Sequence, residues 1–293
     1  MKAEDKPIFI LGISRTGSKF YMQALNSHPD VFIAPEMVFQ HPVKACLLRD
    51  LKLFLSKNPD PYEIFDFVKS RNYKDTYTET VSRLDKEGFV GRLRGIEHIT
   101  QLDVFHAIIQ NSSLGRSRVG AKFPVHYSYG EQLLRYFPDC KIVYLTRDPR
   151  DIYCSDLVMK TRRFKAARWS GIIEFFLSPV LALYTIYKWK KSLTFFDTWE
   201  AEFGSSRIKL FMFEDIGADA DKVLTSLADF LGIDCSSLSL EKIRIVDSSF
   251  SGSPGGRRWE SRLSPMGRIL FEILAGRRMA SMGYRRRGED VSK

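Results

Sequence analysis

The sequence lacks most of what would mark a secreted, metal-bound or membrane-spanning chain. It holds four cysteines, Cys46, Cys140, Cys154 and Cys235, scattered over 293 residues with no Cys-x-x-Cys pair. That excludes a disulfide framework and a paired thiolate zinc site, and fits free, mostly buried thiols in a reducing compartment. No His-Glu-x-x-His occurs, and His98 and His106 stand eight apart in a stretch that reads as helical, not at the i, i+4 spacing of a chelating pair. No metal is expected. The opening MKAEDKPIFILGI has no secretory apolar core, only an apolar run of strand length that enters a glycine turn, so a cytoplasmic location is expected. The segment nearest to a membrane span, Gly171 to Tyr187, contains Glu174 and Pro179 and falls short of the roughly 20 clean apolar residues a span needs. It reads as a buried or interfacial helix. Internal repeats and low-complexity tracts are absent as well.

What is present is an ordinary globular composition, 44% apolar and 27% charged, long enough for a large core. Forty-five basic residues against 35 acidic ones give a net charge of +10, which points to an anionic partner: a nucleotide, a nucleic acid or a membrane face. Lys and Arg are spread along the chain without an aromatic-interleaved cluster, so a nucleic acid is not expected.

Strand and helix signals alternate. Ile8–Leu11, Arg118–Phe123, Lys141–Leu145 and Arg207–Phe213 are apolar runs of strand length, and a further short strand precedes Glu36. Helical patterns follow Gly17 and cover Tyr127–Tyr136, Arg150–Met159, Ala182–Phe203 and Asp219–Leu231. The expected fold is α/β: a P-loop-type central parallel sheet with helices on both faces. One domain over residues 1–293 is expected. Helix-rich insertions at about 40–115 and 156–203 are placed to wall an acceptor cleft. The stretch Ser248–Arg258 is rich in Gly, Ser and Pro and reads as a loop.

Gly12-Ile13-Ser14-Arg15-Thr16-Gly17-Ser18-Lys19 leaves a strand and opens a helix. Such a turn presents backbone N–H groups and the positive end of a helix dipole, a natural phosphate site; it is also the commonplace way to join strand to helix. A nucleotide P-loop would read G-x-x-x-x-G-K-[ST], whereas here the lysine comes one place late. A cation at Arg15 sits where it can stabilise charge on a transferred group.

These residues resemble the 5′-phosphosulfate loop of sulfotransferases that use 3′-phosphoadenosine 5′-phosphosulfate (PAPS). Arg15, Thr16, Gly17 and Ser18 match the pattern, and Lys19 replaces a second hydroxyl. The stretch Lys141–Ser155 is similar to the family's 3′-phosphate segment: a strand, then Arg147-Asp148-Pro149, then a helix with Ser155 eight residues after the arginine. Arg147 and Ser155 are thus in position to clamp one phosphate with a charge and a hydroxyl, although an ion pair from Arg147 to Asp151 or Asp148 is a competing use. Arg257 and Arg258 resemble the basic loop that covers the nucleotide. The basic stretch Arg262–Arg287 offers a face to anionic lipid, but the resemblance favours packing against the domain.

The resemblance implies sulfuryl transfer from PAPS, as co-substrate and without a metal, to an acceptor hydroxyl. Cytosolic small-molecule enzymes of the family use a histidine two places after a lysine. Here Lys122-Phe123-Pro124 has none at that place, and His126 is two further on. Protein-tyrosine and some carbohydrate sulfotransferases use a glutamate after the first helix, and Glu36, 21 residues after Arg15, matches it. Glu36 is therefore the expected general base, with Arg15 and Lys122 stabilising the transferring group. A glutamate-type site implies a carbohydrate, glycolipid or tyrosine hydroxyl over a small phenol, and with no secretory start a carbohydrate or glycolipid acceptor is expected. The alternative is a P-loop nucleotide-dependent kinase.

Overall fold

The computed structural model describes residues 6–36, 47–73, 75–123, 127–161, 170–239 and 259–284. The apolar runs form five parallel strands, β1 (Ile8–Gly12), β2 (Val31–Ala34), β3 (Arg118–Phe123), β4 (Lys141–Thr146) and β5 (Ile208–Met212), in the order β2-β3-β1-β4-β5. Side chains alternate across the sheet as the two-residue period of a strand requires. Ile8 and Ile10 enter one cluster with Phe20, Tyr21 and Leu25 of helix α1 (Ser18–Ser27). Phe9 and Leu11 enter another on the opposite face. The edge strand β2 is closed by the Asn26 amide, which accepts from Ile33 N at 2.7 Å and donates to Ile33 O at 3.0 Å.

Among its described residues the first expected insertion holds five helices: α2 (Leu47–Leu55), α3 (Pro61–Ser70), α4 (Asp75–Ser82), α5 (Lys86–Leu93) and α6 (Gln101–Asn111). Their buried Leu51, Ile64, Tyr77, Phe89 and Ile108 belong to the Phe9 cluster. His98 precedes α6 rather than lying on it. Thr100 starts the helix there, its hydroxyl accepting from Asp103 N while the Asp103 carboxylate accepts from Thr100 N, a capping box that fixes the first turn. The expected helix at 127–136 divides into a 3₁₀ turn at Tyr127–Tyr129 and α7 (Gly130–Tyr136).

Past β4 come α8 (Pro149–Thr161) and α9 (Ser170–Phe203), a 34-residue helix that runs through Pro179. The apolar segment at 171–187 is thus the N-terminal half of a longer helix. Among the described residues no helix is long and apolar enough to cross a membrane. Phe213 starts α10 (Phe213–Ala218), followed by α11 (Ala220–Leu231), α12 (Trp259–Arg262) and α13 (Pro265–Ser281). Trp189 of α9, Tyr153 of α8 and Phe271 of α13 share a third cluster, so the basic C-terminal helix packs against the chain as expected. The loop expected at 248–258 lies outside the described residues. Cys140 and Cys154 are buried free thiols, and burial pushes them up to about 11 and about 12; Cys46 lies outside the described residues.

Candidate active site at the carboxyl edge of the sheet

Strand β1 sits at the centre of the sheet, and its connection through α1 runs toward β2, whereas β4 leads through α8 and α9 toward β5 on the other side. Where neighbouring strands send their connections apart, a crevice opens beyond their carboxyl ends. The loops after β1 and β4 meet in that crevice. Register places Gly12 beside Leu145, two residues before Arg147.

The turn after β1 needs unusual backbone angles. Gly12 has φ 144°, Arg15 φ 76° and Gly17 φ 84°. Gly17 is required twice over, because a Cβ there would also stand 2.4 Å from the Phe213 ring. Arg15 occupies the left-handed region without being glycine, at a cost on the order of 1–3 kcal/mol that persists only where the surroundings impose it. The Thr16 hydroxyl donates to Ile13 O at 2.8 Å and braces the turn. Helix α1 begins with no side-chain cap and no acid in its first turn, which leaves the positive end of its dipole to an anion. Ser18 is buried at the first helical position, and Lys19, next to it, is exposed.

The two motifs are joined directly. Arg15 Nε donates to Ser155 Oγ at 2.7 Å, and Arg147 Nη1 donates to Arg15 O at 3.3 Å. The Arg147 guanidinium lies 4.2 Å from the centre of the Phe213 ring, a cation–π contact in a largely dehydrated setting. Of the two acids that compete for Arg147, Asp148 is held by Arg150 at 2.6 Å, and Asp151 stands 4.0 Å from Arg147. Arg257 and Arg258 lie outside the described residues. The residue after them, Trp259, is seated on the first turn of α8: its backbone N–H donates to Asp151 Oδ1 at 3.0 Å and its ring centre lies 3.7 Å from the Arg150 guanidinium.

Motif reading named Asp148 and Asp151 but missed a third acid beside them, Glu214. Glu214 accepts from Asp148 N at 2.8 Å and from the Tyr284 hydroxyl at 3.3 Å. Burial pushes the Glu214 carboxyl up to about 7, against the pull of the Asp148 N–H. Burial likewise raises Asp151 to about 6, although Arg147 opposes it. Both groups hold their protons more tightly folded than unfolded. The stability they confer is complete below the unfolded carboxylate range and is lost as pH rises through about 6 and about 7. The melting temperature is therefore expected to fall between about pH 4 and about pH 7. Glu214→Gln should flatten part of that fall in thermal unfolding followed over a pH series; an unchanged slope would place the titration elsewhere. The signal for Phe213 and Glu214 is in the sequence: they directly follow an apolar strand, β5, whose carboxyl end faces the same edge.

Glu36 and Lys122 arrive from the other side of β1. Lys122 pairs with Ile10 in register, and Glu36 follows β2 by two residues. Lys122 Nζ is 3.6 Å from Glu36 Oε2, with the lysine buried and a quarter of the glutamate side chain exposed. The Thr76 hydroxyl of α4 donates to Glu36 O at 2.6 Å. The structure thus brings Arg15, Thr16, Gly17, Ser18, Arg147 and Ser155 into one group, and Glu36 and Lys122 into a pair at the same edge. His126 lies outside the described residues. His106 is buried against Phe137, and no group of metal-ligating side chains occurs among the described residues.

The inserted helices also enclose a groove of about 540 Å³ between Leu55, Pro61, Tyr62, Leu93 and Ile99. It opens at the N-terminal end of α3, whereas Thr76, which touches Glu36, follows the C-terminal end of that helix.

A family model described as "Sulfotransferase family" matches residues 7–237. The sulfotransferase domain of the Synechococcus PCC 7002 olefin synthase is similar in structure, with TM-score 0.51 and 19% identity, covering 94% of this chain and 97% of that one. The sulfotransferase domain from the curacin biosynthetic pathway gives 0.53 at 16% identity, over 96% and 98%. The sulfotransferase from Alicyclobacillus acidocaldarius gives 0.51 at 15%, over 96% and 97%. At these identities the likeness concerns the fold. An uncharacterized protein of Aquifex aeolicus (strain VF5) is 24% identical over 155 residues, 52% of this chain, and the match spans 17% of that protein's length.

Proposed function

The chain belongs to the sulfotransferase family, and on that premise we propose that it moves a sulfuryl group from PAPS to the hydroxyl of a carbohydrate or glycolipid, with Glu36 as general base. The observation that carries this reading is the joining of the two phosphate motifs: Arg15 Nε to Ser155 Oγ, and Arg147 to the Arg15 carbonyl. A donor with phosphates at both ends of one nucleoside needs two anion sites held at fixed separation, and these bonds hold them.

In this reading the Gly12–Gly17 turn and the start of α1 take the 5′-phosphate, with Thr16, Ser18 and Lys19 around it. Arg147 and Ser155 take the 3′-phosphate, and Arg257 and Arg258 add charge to it. Arg15 and Lys122 face the sulfuryl oxygens, where charge grows as the bridge breaks. Glu36 accepts the acceptor's proton as the acceptor oxygen bonds to sulfur and the sulfur–oxygen bond to the 5′-phosphate opens. The bisphosphate departs with that electron pair. The ion pair with Lys122 suits the base, because a nearby cation favours the charged carboxylate. The chemistry is positioning and charge stabilisation, as in phosphoryl transfer.

Calorimetric titration with 3′,5′-adenosine bisphosphate, ADP and ATP tests the donor site, and PAPS turnover with sugars, glycolipids and phenols tests the acceptor. Selective bisphosphate binding is expected. Preference for ATP would move the chain to phosphoryl transfer. Turnover with phenols alone would remove the carbohydrate acceptor.

A further inference from the structure

Two helices turn rows of large apolar side chains to solvent. On α9, Val180, Leu183, Tyr184 and Tyr187 are exposed at the i, i+3, i+4, i+7 positions of one stripe. On α13, Met266, Ile269, Ile273 and Leu274 are exposed, Ile273 at 75%. The opposite faces are committed, since Leu181, Ile186 and Trp189 pack with Phe271, Ala275 and Met279 in one cluster. The two stripes adjoin: Lys190, one turn beyond Tyr187, donates from Nζ to Leu274 O at 3.2 Å. A contiguous apolar surface of this kind on a soluble fold marks a docking face.

Its surroundings are mainly basic. Over residues 178–196 and 263–284 the sequence carries six Lys or Arg and one acid, Glu272; of the six, Arg278 is paired with Asp197 at 2.6 Å. Lys188 lies 4.6 Å from the Tyr184 ring and Lys191 5.7 Å from the Tyr187 ring, so the ammonium groups edge the apolar stripe. A second copy of the chain would bring an equally basic face against this one, and like charges would oppose it. Anionic headgroups are complementary to it, at about 1 kcal/mol for each Lys or Arg near the surface. Apolar side chains flanked by tyrosines and lysines on a helix lying flat are what the headgroup–acyl boundary accepts.

We propose that the exposed face of α9 and α13 rests on an anionic lipid bilayer. The helices lie in the plane of the surface and insert Leu183, Ile269 and Ile273 without crossing. The proposal does not depend on sulfuryl transfer, because the assay needs neither donor nor acceptor.

The full chain is incubated with vesicles of phosphatidylcholine, or of phosphatidylcholine mixed with phosphatidylglycerol, and sedimented. The expected result is binding to the mixed vesicles at least about tenfold above the neutral ones, weakening with salt. Lys191→Gln with Arg277→Gln should reduce it by about twentyfold or more, at the cost per charge just given. Leu183→Ser with Ile273→Ser should also reduce it, with the melting temperature and bisphosphate binding unchanged. Equal binding to both vesicles, or none by folded protein, overturns the proposal. A dimer in sedimentation equilibrium that the serine variant dissociates, with no vesicle binding, would assign the face to a second copy instead.

Discussion

Arg147→Ala is expected to weaken 3′,5′-adenosine bisphosphate by about 100-fold or more while leaving ADP and ATP little changed. A guanidinium that meets a phosphate through two charged hydrogen bonds contributes about 1.5–3 kcal/mol per bond. The loss therefore amounts to two or more powers of ten in affinity, at about 1.4 kcal/mol for each. Arg147 is pre-positioned for this: it is buried, held over Phe213 at 4.2 Å and bonded to the Arg15 carbonyl. Arg147→Lys keeps the charge but loses the fork and the ring contact, so it should fall between wild type and alanine. The measurement is calorimetry on all three proteins, with thermal unfolding to confirm that each is folded. Equal losses for ADP and the bisphosphate would sink the assignment of a 3′-phosphate to this arginine.

Glu36→Gln is expected to lower turnover by about 10²–10⁴-fold, the usual worth of a positioned general base, with bisphosphate affinity preserved. The substitution keeps the shape of the side chain and its backbone bond to Thr76, and removes the charge that takes the proton and pairs with Lys122. Turnover is followed by bisphosphate release from PAPS with an acceptor that the wild type sulfates, and affinity by calorimetry on the same variant. A turnover within a few fold of wild type would take the base away from Glu36. A parallel loss of bisphosphate affinity would make the Glu36–Lys122 pair a structural strut instead of catalytic machinery.

Much of the frame was legible before the structure. β1, β3 and β4 announce themselves as apolar runs because a strand covered on both faces must be apolar on both, and the glycine turn after β1 follows from the backbone angles a tight exit requires. Placing Arg15, Glu36, Lys122 and Arg147 at one edge required only that the strands be parallel. Sequence spacing fixes which strand end a residue leaves, not which side chains meet there. The bond from Arg15 to Ser155 and the Phe213 ring wedged between Gly17 and Arg147 depend on neighbours far apart in the chain. The five helices between β2 and β3 were visible only as a helix-rich stretch. The start of α6 beyond His98 turned on a capping box rather than on periodicity.

The seat of Trp259 has a consequence for how the molecule is made. The phosphate turn, Glu36, Lys122, Arg147 and Ser155 all leave the ribosome within the first 155 residues, whereas Phe213, Trp259 and Tyr284 emerge later. Until they do, Arg147 lacks its ring, Arg150 lacks the indole it rests on, and Asp151 lacks the N–H it accepts. A nascent chain that ends after α8 therefore lacks the contacts that hold Arg147, Arg150 and Asp151 in place. Synthesis of Phe213 and Trp259 completes them.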